Sequence, residues 1–298
     1  MKQIAVLSGK GGTGKTILTA CFASLSLNKI MLDCDVDAAN LHILLHPDIK
    51  SKEEFKDSCL AVIDDKKCTE CGICESVCRF EAIMGKKIDP VACEGCEVCF
   101  HMCPEDAIRM DKVVDGEWYV SETSYGPFVH ARLGPGRPNS GKLVSLIRQK
   151  AQEIALQGNY EYVIIDGPPG MGCPVISTLS GVDLALITTE PTLSGIHDMD
   201  RVIQLANHFG IKAAVCINKH DLNSRMCQEI EKYCLEKNID MVGKVRFDRV
   251  VPESVSQCIP VVEFSNNGVS EDIRRVWSNV LNVMGEVPEN EVHDHDIM

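Results

Sequence analysis

The sequence predicts an α/β fold, a mostly parallel sheet with helices on both faces, interrupted by a smaller inserted α+β module. Three observations predict it. Short β-branched runs alternate with helical patterns over most of the chain, as strand–helix–strand units require. A glycine-rich stretch, Gly9-Lys10-Gly11-Gly12-Thr13-Gly14-Lys15-Thr16, stands between the first such run and the first helical pattern. Residues 68–103 then break the rhythm with an internal repeat, "CTECGICESVCRFEAI" echoed by "CEGCEVCFHMCPEDAI".

Strands are expected at 4–8, 30–34, 162–166, 184–189 and 213–217. The longest apolar runs ("YVIID", "LALITT", "AAVCI") fall within these strands and are strand length. Helices are expected near 15–27, 142–157, 195–208 and 223–237. The last helix, "EDIRRVWSNVLNVM", carries Ile273, Val276, Trp277, Val280, Leu281 and Met284 at spacings of three, four and seven, a one-sided stripe that should pack on the core. The acidic tail beyond it is expected to fray. His293 and His295 in that tail are read as solvated rather than as metal ligands. The cysteine repeat is expected to form one pseudo-symmetric module over 60–112, leaving 1–59 and 113–298 as a discontinuous host domain. The module's two ends must then lie close together.

A formal net charge of −13, with both the cysteine-rich segment and the remainder acidic, argues against general nucleic-acid binding. The apolar runs are strand length and far short of a membrane span. The N-terminus enters a strand with no apolar signal region, so a cytoplasmic protein is expected. Sixteen cysteines in such a chain read as metal ligands in a reducing, anaerobic cytoplasm rather than as disulfides.

Gly9 to Thr16 fits G-x4-G-K-[ST] in strand–loop–helix context. The glycines let backbone N–H groups curl around phosphates at the positive end of the following helix. Lys15 should reach the β- and γ-phosphates and Thr16 should bind Mg²⁺. Gly136-x4-Gly141-Lys142 repeats the spacing, but Leu143 offers the metal no hydroxyl, so this stretch is read as a loop and helix start.

The additional lysine gives "KGGTGKT", which resembles the deviant phosphate loop of the MinD/ParA ATPase superfamily, a group that includes the nitrogenase iron protein and the Mrp-type cluster carriers. The resemblance implies that Lys10 reaches across a sandwich dimer to the partner's nucleotide, in a homodimer or a heterodimer with a similar ATPase. "LDCDVDAANL" is similar to the switch I stretch, which implies Asp33 near Mg²⁺, Asp35 orienting the attacking water and Asp37 as a further neighbour. "YVIIDGPPG" resembles the Walker B strand and switch II, with Asp166 holding a Mg²⁺-bound water and Gly170 near the γ-phosphate. "INKHD" (Asn218, Lys219, Asp221) matches the N-K-x-D pattern that reads guanine, while a MinD-like fold can present the asparagine to adenine. The deviant lysine favours ATP/ADP with Mg²⁺, with GTP the alternative. Cys173 lies seven residues after Asp166, the offset of a cluster-ligating cysteine in the nitrogenase iron protein; a packed thiol is the alternative.

Two C-x2-C-x2-C-x3-C runs, the second followed by Pro104, bring eight soft thiolates together, suited to iron–sulfur clusters, with zinc the competing occupant. They resemble a bacterial two-cluster ferredoxin, apart from Arg79 where the first run would carry proline. That resemblance implies two [4Fe–4S] clusters with crossed ligands, one on Cys68, Cys71, Cys74 and Cys103, the other on Cys93, Cys96, Cys99 and Cys78. Of the remaining cysteines, Cys21, Cys34, Cys59, Cys216, Cys227, Cys234 and Cys258 are read as small packed residues. The whole pattern resembles MinD-superfamily ATPases carrying an inserted ferredoxin domain. It implies an ATPase whose nucleotide cycle gates electron transfer or a redox or client partner, the alternative being a cluster-carrier or positioning ATPase of the Mrp/MinD type. No basic amphipathic tail is present to grip a membrane.

Overall fold

The structure, a computed structural model, describes residues 1–137, 140–266 and 268–286. The acidic tail with His293 and His295 lies outside the described residues. So do Pro138 and Asn139 of the loop before the 142–157 helix. In chain order come β1 (Lys2–Ser8), α1 (Lys15–Leu25), β2 (Lys29–Asp33), α2 (His42–Leu45) and β3 (Asp48–Phe55). The cysteine-bearing stretch supplies β4 (Cys59–Ile63), α3 (Ile73–Val77), β5 (Ile83–Met84), β6 (Lys87–Ile88), α4 (Val98–Met102) and β7 (Ile108–Lys112). Next are β8 (Gly116–Thr123), β9 (Gly126–Leu133), α5 (Ser140–Gly158), β10 (Tyr162–Pro169), α6 (Cys173–Leu179) and β11 (Leu184–Thr189). The chain ends with α7 (Leu193–His208), β12 (Lys212–Asn218), α8 (Ser224–Glu236), β13 (Asp240–Val245), α9 (Val250–Ser256), α10 (Val261–Phe264) and α11 (Val269–Val283).

The main sheet runs β13-β12-β11-β1-β10-β2-β9-β8-β3. Every pairing from β13 through β9 is parallel. These strands are almost continuously apolar because helices cover both faces. Ile4, Val6, Met31 and Ile164 join one buried cluster with Phe22 of α1 and Ile273, Val276, Trp277 and Val280 of α11. The alternate residues Ala5, Leu7, Leu32 and Ile165 are equally buried, and α5, α6 and α7 pack against the same strands. The α11 stripe lies as its spacing predicts, with Trp277 against Phe22 at 4.9 Å between ring centroids.

Several elements escaped the sequence reading. β3 ("DIKSKEEF") is exposed at all but its last residue and ends the sheet. An edge strand exposed on both faces and rich in charges has no apolar periodicity to find. β8 and β9 are joined by only two residues, Ser124 and Tyr125. β13 carries a glycine at φ +145 that breaks its apolar run.

The chain divides into two compact units. The first comprises residues 1–52, 119–131 and those described from 140 onward; the second comprises 53–118 and 132–137. The second is therefore broader than the 60–112 stretch. Within it β4 and β7 pair antiparallel, Cys59 opposite Lys112 and Ile63 opposite Ile108. Asp115, fully buried, accepts hydrogen bonds from the backbone N–H of Asp57 (2.8 Å) and Ser58 (2.7 Å) and from the Ser58 hydroxyl. The repeat is mirrored by α3 and α4, five residues each. A small core of Ala61, Ile83, Cys99 and Ile108 packs with Cys74, Cys78, Cys93 and Cys103. Among the described residues, no helix is long and apolar enough to cross a membrane.

Candidate functional site

β1, a central strand, delivers Gly9 just beyond its C-terminal end, and α1 begins at Lys15. Gly14, the residue before the helix, has φ +88, and a Cβ there would collide with the Asn218 amide. Only glycine closes this loop against β12. At Gly9 a Cβ would strike the side chain of Asp198 on α7. Gly12 also has positive φ, Gly11 faces open space, and Thr13 is buried with its hydroxyl unpaired. A buried hydroxyl without a partner costs free energy, and this one belongs to a loop whose motif holds phosphates.

Beneath the loop stand three carboxylates and one ammonium. Asp33 and Asp166 are fully buried, and Lys15 and Asp35 nearly so. Lys15 Nζ donates to Asp35 Oδ2 at 2.9 Å and lies 3.9 Å from Asp166 Oδ1. The Thr16 hydroxyl donates to Asp166 Oδ2 at 2.6 Å, and Thr19 to Asp166 Oδ1 at 3.3 Å. Asp33 accepts from the backbone N–H of Asp35 (3.0 Å) and Leu41 (3.2 Å), which shapes the turn after β2. Burial, then the charge of Asp166, pushes Asp33 well above the usual carboxylate range. Burial also raises Asp166, with Lys15 and Thr16 opposing it. Burial alone would discharge Lys15, but Asp166, Asp35 and Asp33 outweigh it and hold the ammonium above its ordinary value. The site thus carries excess buried negative charge, and oxygen donors with one hydroxyl are the ligand chemistry of Mg²⁺. Thr16, Asp33 and Asp166 fit that ion. Asp37, less buried, is raised first by burial and then by Asp35.

Lys10 Nζ lies 3.2 Å from Glu190 Oε2, and Lys219 Nζ donates to Glu190 Oε1 at 2.6 Å. Asn218 Nδ2 donates to the Thr13 carbonyl at 2.8 Å. Beside them a cavity of about 370 Å³ is lined by Gly12, Gly14, Ile17, Asn218, Phe247 and Pro252 among others, large enough for a nucleobase. Asp221 is not among its lining residues; its carboxylate accepts from the Phe247 backbone N–H at 2.7 Å. Gly170, φ +88, donates its N–H to the Ser8 carbonyl at 2.9 Å and shares a second cavity with Gly9, Asp198 and Arg201. Cys173 is exposed at the first residue of α6, beside Gly141 of α5.

In the second unit the cysteines sort into two sets. Cys68, Cys71, Cys74 and Cys103 line one cavity of about 130 Å³ with Ile63, Pro104 and Ile108. Cys78, Cys93, Cys96 and Cys99 line another, tighter at about 20 Å³. The Ala107 N–H points at Cys103 Sγ, 3.3 Å away. All sixteen cysteines are free of disulfides. Among the described residues, no three or more Cys, His, Asp or Glu side chains gather around a single-ion point. Four soft thiolates per set are donor chemistry that fits an iron–sulfur cluster, with zinc the competing occupant.

Residues 4–261 match the CobQ/CobB/MinD/ParA nucleotide binding domain. The chain belongs to that family. It is a P-loop ATPase of the MinD/ParA type. It is 36% identical over 285 residues to an uncharacterized protein of Methanocaldococcus jannaschii, covering 93% of this chain and 96% of the other. An iron-sulfur cluster carrier protein of Pyrococcus horikoshii is 23% identical, with coverages of 96% and 87%. The septum site-determining protein MinD of Pyrococcus horikoshii, solved with Mg-ADP, superposes with a TM-score of 0.58 at 17% identity, covering 95% of this chain and 97% of that one.

In this MinD/ParA-type site three participants were invisible in the sequence. Glu190, Thr19 and Asp198 come to the phosphate loop from β11's end, α1's second turn and α7. The strand order β11-β1-β10 brings Glu190 and Asp198 to the loop on one side and Asp166 to Thr19 on the other.

Proposed function

We propose that this ATPase is a nucleotide-switched dimer that carries two [4Fe–4S] clusters in its second unit and uses ATP binding and hydrolysis to gate electron transfer. The observation that carries this reading is the sorting of eight cysteines into two sets, each completed by the fourth cysteine of the other repeat. That crossing is what a two-cluster ferredoxin needs. Bound clusters supply one-electron transfer at potentials set by hydrogen bonds to sulfur and by solvent exposure. The Ala107 N–H to Cys103 is a bond of that kind.

On the nucleotide side, Lys15 turns from Asp35 to the β- and γ-phosphates, while Thr16, Asp33 and Asp166 hold Mg²⁺. Asp35, released from Lys15, orients the attacking water. Lys10 crosses to the partner's nucleotide. Asn218 and the cavity walled by Phe247 and Pro252 take adenine. Gating is supported by chain connectivity: the switch I stretch leads directly through α2 into β3, and Asp33 pairs in register with His130 of β9.

A second reading, cluster carriage, is favoured by the likeness to an iron-sulfur cluster carrier. Anaerobic purification tests both. About eight irons per chain and a paramagnetic signal on reduction are expected; stoichiometric zinc ends both readings. Clusters retained in the presence of an apo-protein acceptor support gating, and ready transfer supports carriage.

A further inference from the structure

We propose that Lys219 is the positioning residue that lets Lys10 leave its own subunit. The inference rests on the sandwich-dimer reading of Lys10 given above. Glu190 is largely buried, its side chain 16% exposed, and two ammoniums share it: Lys10 at 3.2 Å and Lys219 at 2.6 Å. Burial would raise this carboxyl, but the hydrogen bonds of Lys219 and Lys10 keep it below the ordinary glutamate value.

Reaching a partner's nucleotide requires Lys10 to abandon Glu190. Removing the single partner of a desolvated charge is costly because the other charge stays behind unpaired. Lys219 removes that obstacle. Its backbone is fixed: the preceding Asn218 is tied to the phosphate loop at Thr13, its own φ is +54, and a short 3₁₀ turn follows. Its ammonium therefore stays on Glu190 whichever way Lys10 points, and Lys10 departs from a carboxylate that is still neutralised.

This also gives the N-K-x-D pattern a use other than reading guanine. Asp221 is spent on the Phe247 N–H and does not line the base cavity, so the lysine and aspartate are not arranged together around a base edge. Lys219 does form part of that cavity's wall. Nucleotide affinity is therefore measured for every variant, and dimerisation is read at saturation.

The test is a double-mutant cycle on ATP-analogue-driven dimerisation, followed by sedimentation of the full chain under anaerobic conditions. Lys219→Met should weaken the dimer roughly tenfold, as loss of a close, partly buried charge partner does. In a Glu190→Gln background, where Lys10 has nothing to abandon, the same substitution should cost less than about twofold. Lys219→Arg should stay near the parent chain, because a cation remains on Glu190. An equal loss in both backgrounds, or no loss in either, overturns the proposal. Lys10→Ala separates the two layers. If it dimerises normally, the sandwich reading itself is wrong. If it fails to dimerise while Lys219→Met does not, only the Lys219 assignment is wrong.

Discussion

Replacing Lys15 with methionine should destabilise the nucleotide-free protein, well beyond its effect on ATP binding. The side chain is 8% exposed, and its ammonium is paired with Asp35 at 2.9 Å and Asp166 at 3.9 Å. Methionine keeps the length and apolar stem, so packing changes little. What is lost is the counter-charge to three buried carboxylates. Breaking a buried pair on one side costs about 3–5 kcal/mol. At about 2–4 °C per kcal/mol for a unit of this size, the melting temperature should fall by roughly 6–20 °C. In a Trp118→Phe background, Trp277 is the one remaining tryptophan and reports the first unit through its contact with Phe22. The pH dependence has a definite sign. Asp33 and Asp166 have raised folded-state pKa values, so their contribution is most favourable below about pH 4 and is lost as pH rises through those values. Lys15 is also raised, so its stabilisation holds through neutral pH and is lost only above about pH 10. The gap between the two chains should therefore be wide at neutral pH and close as the carboxylates protonate. A melting temperature unchanged at pH 7, or a gap that widens on acidification, would refute the charge argument.

Three further outcomes follow from the same geometry. Asp35→Ala should bind ATP and accumulate as a dimer without turnover, measured by phosphate release and sedimentation; normal hydrolysis would move water positioning to another residue, Asp37 first. Cys103→Ser should damage the same cluster as Cys68→Ser, and Cys78→Ser the same cluster as Cys93→Ser, read from the paramagnetic spectra of the reduced variants. Damage that follows the repeats instead of crossing between them would contradict the ligand sets.

What could be read from the sequence was whatever local spacing encodes. Gly9 to Thr16 is legible because a strand, a tight loop and a helix start are contiguous, and Asp33 and Asp166 because each closes an apolar run. The two repeats announce themselves through identical spacing. What was not legible depends on tertiary juxtaposition. Glu190 meets Lys10 because β11 lies beside β1. Asn218 fixes the need for glycine at position 14 only because β12 ends against the loop. Asp115 pins residues 57 and 58 through backbone donors, which leave no pattern in side-chain type. The edge strand β3 hides behind its charges.

The most direct test of ATP-gated electron transfer is the affinity for a non-hydrolysable ATP analogue, measured anaerobically with the clusters first oxidised and then reduced. Binding equilibria couple reciprocally, so if nucleotide shifts the cluster potential, reduction must shift nucleotide affinity by the same free energy. The account predicts a change of roughly 5- to 150-fold between the two redox states, the range of ordinary couplings of about 1–3 kcal/mol. Equal affinities in both states would contradict it.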